Sequence, residues 1–217
     1  PAYEQSSDQE VAFQAVDYIL RVLKKNMVFG MTWGRAMHEF VEQLAKDERL
    51  RALSFQNVKV VPFLGTPGAI QSDSWNTTTY SNTLATKVGN LLHCASYNLS
   101  APMYVEGTKE KELIESIDEI AKVLHMAETA DIALIGIGSM QDDSSIIKAE
   151  IRTREEYKEL VRKGAVGEIV GRIYDKNGQT VDEDLKRKMV GISLDKIAKI
   201  PVRVGMSYGK DKIEAIK

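Results

Sequence analysis

The stretch that most constrains the fold is "ADIALIGIGS", residues 130 to 139, an almost unbroken aliphatic run that ends in two glycines and a serine. A strand with one face in water alternates apolar and polar side chains. A run that is apolar at nearly every position suits a strand buried on both faces, as in a parallel sheet covered by helices. The same unit recurs along the chain. "NMVFGMTWG" is a strand breaking at glycine before the helical "RAMHEFVEQLA". "NVKVVPFLG" leads, after the polar "TPGAIQSDSWNTTT", into the helical "YSNTLATKVGNLLH", and "KIPVRVGMSYG" precedes "KDKIEAIK".

Helix signals lie between these strands. "SSDQEVAFQAVDYILRVLKK" places Ser7 three residues before Glu10, the spacing of a capping box, and its apolar residues Val11, Ala15, Tyr18, Ile19 and Val22 recur at helical intervals. "TREEYKELVRKG" repeats the box with Thr153 and Glu156. Strands alternating with helices predict an α/β, Rossmann-like fold with a mostly parallel, helix-covered sheet. One antiparallel excursion is expected at "GEIVGRIYDKNGQTV", two β-rich runs around "DKNG" as the hairpin turn. No Pro/Ser-rich linker and no solenoid-period repeat interrupt the chain, so residues 1–217 are expected to form one domain.

Composition narrows the function classes. With 29 basic and 31 acidic residues in 217, the net charge of -2 predicts no broad nucleic-acid surface. Cys94 is the only cysteine, which excludes an intrachain disulfide framework and suits a reducing compartment. The chain has no run of about 18 apolar residues and its first residues do not read as a signal peptide, so the expected location is cytoplasmic, with no membrane partner. It begins with proline, as expected of a fragment or a processed chain. Cys94 follows His93, but neighbours on a helix do not face each other, so a small core residue is expected rather than a nucleophile with its base. His38, His93 and His125 fall in helical stretches far apart, without metal-ligand spacing. No metal and no cofactor are expected.

In open α/β sheets ligands lie beyond the carboxyl ends of the strands. Those ends are "GMTWGR" (30 to 35), "LGTPGA" (64 to 69), "GIGS" (136 to 139) and "GMSYGKDK" (205 to 212). Glycine lets the backbone approach a ligand, and free N–H groups at the following helix start favour an anion. Any one of these loops reads equally well as a tight turn: "GMTWG" has no lysine after its last glycine, and "GIGS" lacks the third glycine of a dinucleotide fingerprint. Four on one sheet edge point to a phosphate or carboxylate ligand. Lys210 and Lys212 open a helix, where a cation is poorly placed unless it serves an anion or stays in solvent. Glu168 is either an acceptor for sugar hydroxyls or a surface charge on a strand edge. Asp142, Asp143, Ser144 and Ser145 read as a helix cap without chemistry.

Taken in order, "GMTWGRAMHEFVEQL", "VKVVPFLGTPGA", "SNTLATKVGNLLH", "APMYVEG", "ADIALIGIGSMQDDSSI", "GAVGEIVGRIYDKNGQTV", "VGISLDKIAKIPVRVG" and "KDKIEAI" resemble the effector-binding domain of SorC-type bacterial transcriptional regulators, from about residue 10 to the end. The resemblance implies a sheet related to sugar-phosphate isomerases and glucosamine-phosphate deaminases, used for sensing rather than turnover, with no catalytic residue. It implies a phosphorylated sugar as effector, bound by Gly30, Met31, Thr32, Trp33 and Gly34, by Gly65 and Thr66, and by Gly136, Gly138 and Ser139. In that scheme Glu168 meets hydroxyls and Lys212 the phosphate. It further implies a homodimer or homotetramer that meets operator DNA only through an N-terminal DNA-binding domain outside residues 1–217.

The chain departs from the family pattern in three places. The family's DNA-binding segment and its closing strand are expected to lie outside residues 1–217, and Tyr208 stands where small residues are usual and is expected to reshape the pocket. "FLGTPGAIQSDSW" holds no lysine for a Schiff base, so reversible binding is expected. The alternative on a related fold is an aldose-ketose isomerase or amino-sugar phosphate deaminase. Such chemistry needs a carboxylate base with a second acid or base, and the glycine loops offer only Asp211, with Asp73 more distant.

Overall fold

The structure, a computed structural model, describes residues 8–67 and 77–217. In chain order the elements are α1 (Asp8–Val22), β1 (Val28–Met31), α2 (Arg35–Leu44), β2 (Lys59–Pro62), α3 (Ser81–Leu91), β3 (Ala95–Ser96), α4 (Thr108–Glu115) and α5 (Asp118–Glu128). These are followed by β4 (Ile132–Ser139), α6 (Ser145–Lys148), α7 (Arg154–Arg162), β5 (Ala165–Ile169), β6 (Arg172–Asp175), α8 (Glu183–Lys188), α9 (Leu194–Ile197), β7 (Val202–Met206) and α10 (Ile213–Ile216). Ser7 lies outside the described residues, as do Gly68, Ala69 and Asp73.

Strands β3, β2, β1, β4 and β7 lie side by side and pair in parallel. The far end of β4 pairs antiparallel with β5, and β5 with β6. The fold is therefore α/β with a mostly parallel sheet and an antiparallel excursion. Strand β4 shows why its sequence is so uniformly apolar. Ile132 and Leu134 belong to the core on one face with Ile19, Phe40 and Val88, whereas Ala133 and Ile135 join the opposite core with Phe63, Tyr157 and Ile200. Successive side chains of a strand point to opposite faces, so covering both faces with helices demands an apolar residue at every position. Val60 and Val61 divide between the two cores in the same way.

Helix α7 forms the box its sequence predicts: the Thr153 hydroxyl accepts from the Glu156 N–H, and the Glu156 carboxylate accepts from the Thr153 N–H at 2.7 Å. Two otherwise orphaned donors are satisfied at once. Thr153→Ala is expected to lower stability by about 1 kcal/mol, measured by denaturant unfolding.

The excursion holds two turns, and the expected one is present: "DKNG" closes a short antiparallel hairpin in which Gly178 N–H donates to the Asp175 carbonyl at 2.9 Å, Tyr174 bridges Thr180, and Val181 N–H donates to the Ile173 carbonyl at 2.9 Å. The longer pair, β5 with β6, turns at Val170 and Gly171, both at positive φ (54° and 68°), a turn not expected from the sequence. Two local expectations need correction. His93 is outside α3, in a turn at φ 52°. Helices α4 and α5 are additions to the elements expected from the sequence. The thiol of Cys94 is half-buried and pushed up to about 11 by desolvation, so it stays protonated near neutrality and is a poor nucleophile.

Candidate functional site

The carboxyl ends of β1, β4 and β7 surround a cavity of about 80 Å³. Of the residues singled out in the sequence, Trp33, Gly34, Gly136, Gly138, Ser139, Glu168 and Lys212 line it, and so does Tyr208. Arg35, Ala36, Ser144, Ser145 and Ser207 complete much of the wall. The two serines after Asp143 do cap a helix, through the Ser144 hydroxyl and the Ile146 N–H, but they also face the cavity. Their position just past the end of β4 was the available signal.

The bare end of β4 has two separate causes. Gly138 sits opposite Glu168 in the antiparallel register, and a Cβ there would lie 2.8 Å from the Glu168 carboxylate. Glycine at 138 therefore makes room for the acid. At Gly136 a Cβ would find only ordinary contacts of 3.5 Å and beyond, so among the described residues nothing requires glycine there, and its half-buried backbone borders the cavity.

Glu168 is buried, not on a surface edge. Its carboxylate accepts hydrogen bonds from the Gly171 N–H and from the Trp33 side chain. Burial pushes it up to about 7, against the pull of these hydrogen bonds and of the Lys212 and Arg172 charges. The bond to Gly171 also ties Glu168 to the tight Val170–Gly171 turn; a β-branched residue at positive φ costs of order 1–3 kcal/mol and persists only when its surroundings hold it. Here Val170 is buried in the core beside the turn. Arg172, also buried, is pulled down to about 10 by desolvation, opposed by Glu115 and Glu168.

Helix α2 points its start at the cavity. Gly34 caps it at φ 101° with no side-chain hydrogen bond, and its first turn contains no acidic residue. The first N–H groups of a helix have no partner within it, and the helix dipole adds positive potential there. Lys212 reaches in from the segment after β7: its Nζ donates to the Ser139 hydroxyl at 2.8 Å and lies 3.3 Å from Asp211. Ser139 in turn donates to Asp211 at 2.6 Å. Among the described residues the wall thus carries one carboxylate able to accept from hydroxyl groups, several hydroxyls, and cations together with a helix start that has no side-chain cap.

Five expected contact residues stand elsewhere. Met31 is fully buried in the core on the helix α1/α2 side of the sheet. Gly30 is filled from within, since a Cβ there would lie 1.9 Å from the Phe63 ring. Thr32 is 1% exposed and clamps two strands together, its hydroxyl accepting from the Gly136 N–H at 3.0 Å. Gly65 packs against the Ala101 and Pro102 carbonyls, and Thr66 accepts from the Asn82 amide at 2.9 Å; neither lines the cavity. The chain at 30–32 and 65–66 therefore braces the site from behind. Thr32→Val, nearly isosteric, is expected to cost about 1–2 kcal/mol in denaturant unfolding because it strands the Gly136 N–H.

Among the described residues, no group of three or more His, Cys, Asp or Glu side chains is placed to hold a metal ion. No helix among them is long and apolar enough to cross a membrane.

A polar cavity at the strand ends of a mostly parallel α/β sheet is the usual place for a small molecule in such a fold. Residues 1–217 match the family described as "Putative sugar-binding domain", and the chain belongs to that family. It is 31% identical over 206 residues to the transcriptional regulator LsrR of Escherichia coli O157:H7, covering 93% of this chain and 59% of that protein. The full-length sorbitol operon regulator SorC of Klebsiella pneumoniae superposes with a TM-score of 0.83 at 24% identity, over 98% of this chain and 67% of that one. A DeoR family transcriptional regulator from Listeria monocytogenes gives 0.83 at 22% identity, over 99% and 81%. The SorC-type resemblance of the motifs is thus confirmed. These relatives are named as regulators of transcription, the role the resemblance implies, and not as the isomerase or deaminase of the alternative.

Proposed function

We propose that this chain is the effector-binding domain of a transcriptional regulator and takes a phosphorylated sugar in the cavity at the ends of β1, β4 and β7. The observation that carries the proposal is the pairing, in one cavity wall, of a buried hydroxyl acceptor, Glu168, with a lysine and an uncapped helix start. Neutral sugars need the first and not the second; simple anions need the second and not the first. Lys212 and the start of α2 hold the phosphoryl group, Glu168, Ser139 and Trp33 meet the sugar, and the glycine backbone at 136 and 138 closes on it. Gly30, Met31, Thr32, Gly65 and Thr66 act by holding these groups in place.

The relatives' extra length is where we place the DNA-binding domain, so that operator contact in the full protein is made outside residues 1–217. The sugar regulates by binding one arrangement of subunits, dimeric or tetrameric, better than another. A ligand with equal affinity for both would shift nothing. A thermal-shift screen of pentose and hexose phosphates and bisphosphates against their unphosphorylated counterparts tests this. Ligand at about 100 times its Kd stabilises the folded chain by roughly 2.7 kcal/mol, several degrees in Tm. A chain that melts at the same temperature with every phosphorylated sugar refutes the proposal.

A further inference from the structure

Two cations line the cavity, Arg35 and Lys212, and each is already paired with an acid that does not line it. Arg35 meets Asp143 at 2.7 Å, and Lys212 lies 3.3 Å from Asp211 while sharing Ser139 with it. The place of Asp211 is prepared by the backbone. Gly209, at φ 98°, leaves the space that the Asp211 carboxylate occupies, and a Cβ there would sit 2.5 Å from Oδ1. The hydrogen bond from Ser139 holds the Asp211 carboxyl below its ordinary value, so it is charged near neutrality.

We propose that Asp211 and Asp143 are built-in counter-anions that set the affinity of the site: an entering anion must take Lys212 and Arg35 over from them. The inference rests on the anion site proposed above. With both pairs formed the cavity measures about 80 Å³, against roughly 300–1,000 Å³ for usual small-molecule sites. A sugar phosphate therefore enters as the pairs part. The displaced carboxylates stay close to the incoming charge and repel it, whereas a neutral ligand does not feel that repulsion. Asp211 has the larger effect, because Lys212 is more shielded from water (15% exposed) than Arg35 (52%). Ion pairs in water are weak, and shielding strengthens them.

The test is calorimetric titration of the 217-residue chain with inorganic phosphate, comparing wild type with Asp211→Asn, Asp211→Ser, Asp143→Asn and Lys212→Ala. Both neutral replacements at 211 are expected to tighten phosphate binding by about fivefold, and Asp143→Asn by about twofold. Lys212→Ala is expected to lose most phosphate binding. Unchanged or weakened binding in both Asp211 variants, with Lys212→Ala still defective, overturns the counter-anion role and leaves the anion site standing. Phosphate binding that survives Lys212→Ala unchanged overturns the anion site itself. Melting temperatures without ligand confirm that each variant is folded, and two different side chains at 211 keep the result independent of either one.

Discussion

Lys212→Ala is expected to weaken the binding of a phosphorylated sugar by about 10- to 100-fold, while leaving the melting temperature of the unliganded chain nearly unchanged. The size follows from losing a hydrogen bond to a charged group, about 1.5–3 kcal/mol, with each 1.4 kcal/mol worth tenfold. The small effect without ligand follows from its present partners. Asp211 is 42% exposed and Ser139 already donates to it, and Glu168 keeps its hydrogen bonds from Gly171 and Trp33, so removing the ammonium leaves no buried charge without a partner. Titration calorimetry with wild type and variant separates the two quantities. A variant that binds as tightly as wild type removes Lys212 from the site; one that melts far lower without ligand makes the lysine a structural element instead.

The second large effect concerns pH. Glu168 lies at about 7 in the folded chain against 4.5 for an ordinary glutamate. The folded state therefore holds this proton more tightly than the unfolded state does. Between those two values the unfolded chain carries fewer protons, so stability falls as pH rises. The contribution is fully present below about 4.5 and is lost by about 7. Its size is roughly 3 kcal/mol. Glu168→Gln, which keeps a carbonyl oxygen for the Gly171 N–H, is expected to abolish this dependence and to be more stable than wild type by roughly that amount at pH 8, but not at pH 4.5. Urea unfolding of both chains at the two pH values checks it. Equal stability of the two at pH 8 would show that the buried carboxylate is not held at a cost. The same substitution is expected to weaken sugar binding at pH 8, since an amide is a poorer acceptor for hydroxyls than a carboxylate. A site that gives up stability to keep an ionised acid behaves as functional sites commonly do.

The architecture was legible because its cause is periodic. A strand covered on both faces must be apolar throughout, and "ADIALIGIGS" is. The capping box at Thr153 was legible because two side chains at fixed spacing satisfy two specific donors. Positions whose meaning depends on a distant neighbour were not. Gly30 and Gly138 look alike as glycines near strand ends, yet one is filled by the Phe63 ring and the other makes room for Glu168. Nothing local distinguishes them. The "DKNG" turn was legible because its residues tolerate positive φ, whereas the Val170–Gly171 turn was not, since it sets valine at positive φ, which local preference disfavours. The latter turn is stabilised by its buried environment, a long-range effect, and by Gly171 donating to Glu168 three residues earlier. Helix α4 is short and buries no residue, so its amphipathic signal is faint; α5 is as long as α3 and buries Ile120, Val123 and Ala127, a readable helical spacing that the expectation omits.

The site was legible as a set of loops and not as a set of contacts. Trp33, Gly34, Gly136, Gly138, Ser139 and Lys212 converge because parallel strands deliver their carboxyl ends to one edge, and Glu168 joins them from β5, paired antiparallel with the end of β4. The pairing of Lys212 with Asp211, and of Arg35 with Asp143, depends on turns whose geometry a sequence does not display.

Determining the crystal structure of this chain with a bound sugar phosphate tests the central claim most directly. The account predicts the phosphoryl oxygens within hydrogen-bond distance of Lys212 Nζ and the first N–H groups of α2, a sugar hydroxyl on the Glu168 carboxylate, and the Lys212–Asp211 pair parted. An ordered ligand bound elsewhere, with this cavity still closed by its own side chains, contradicts it.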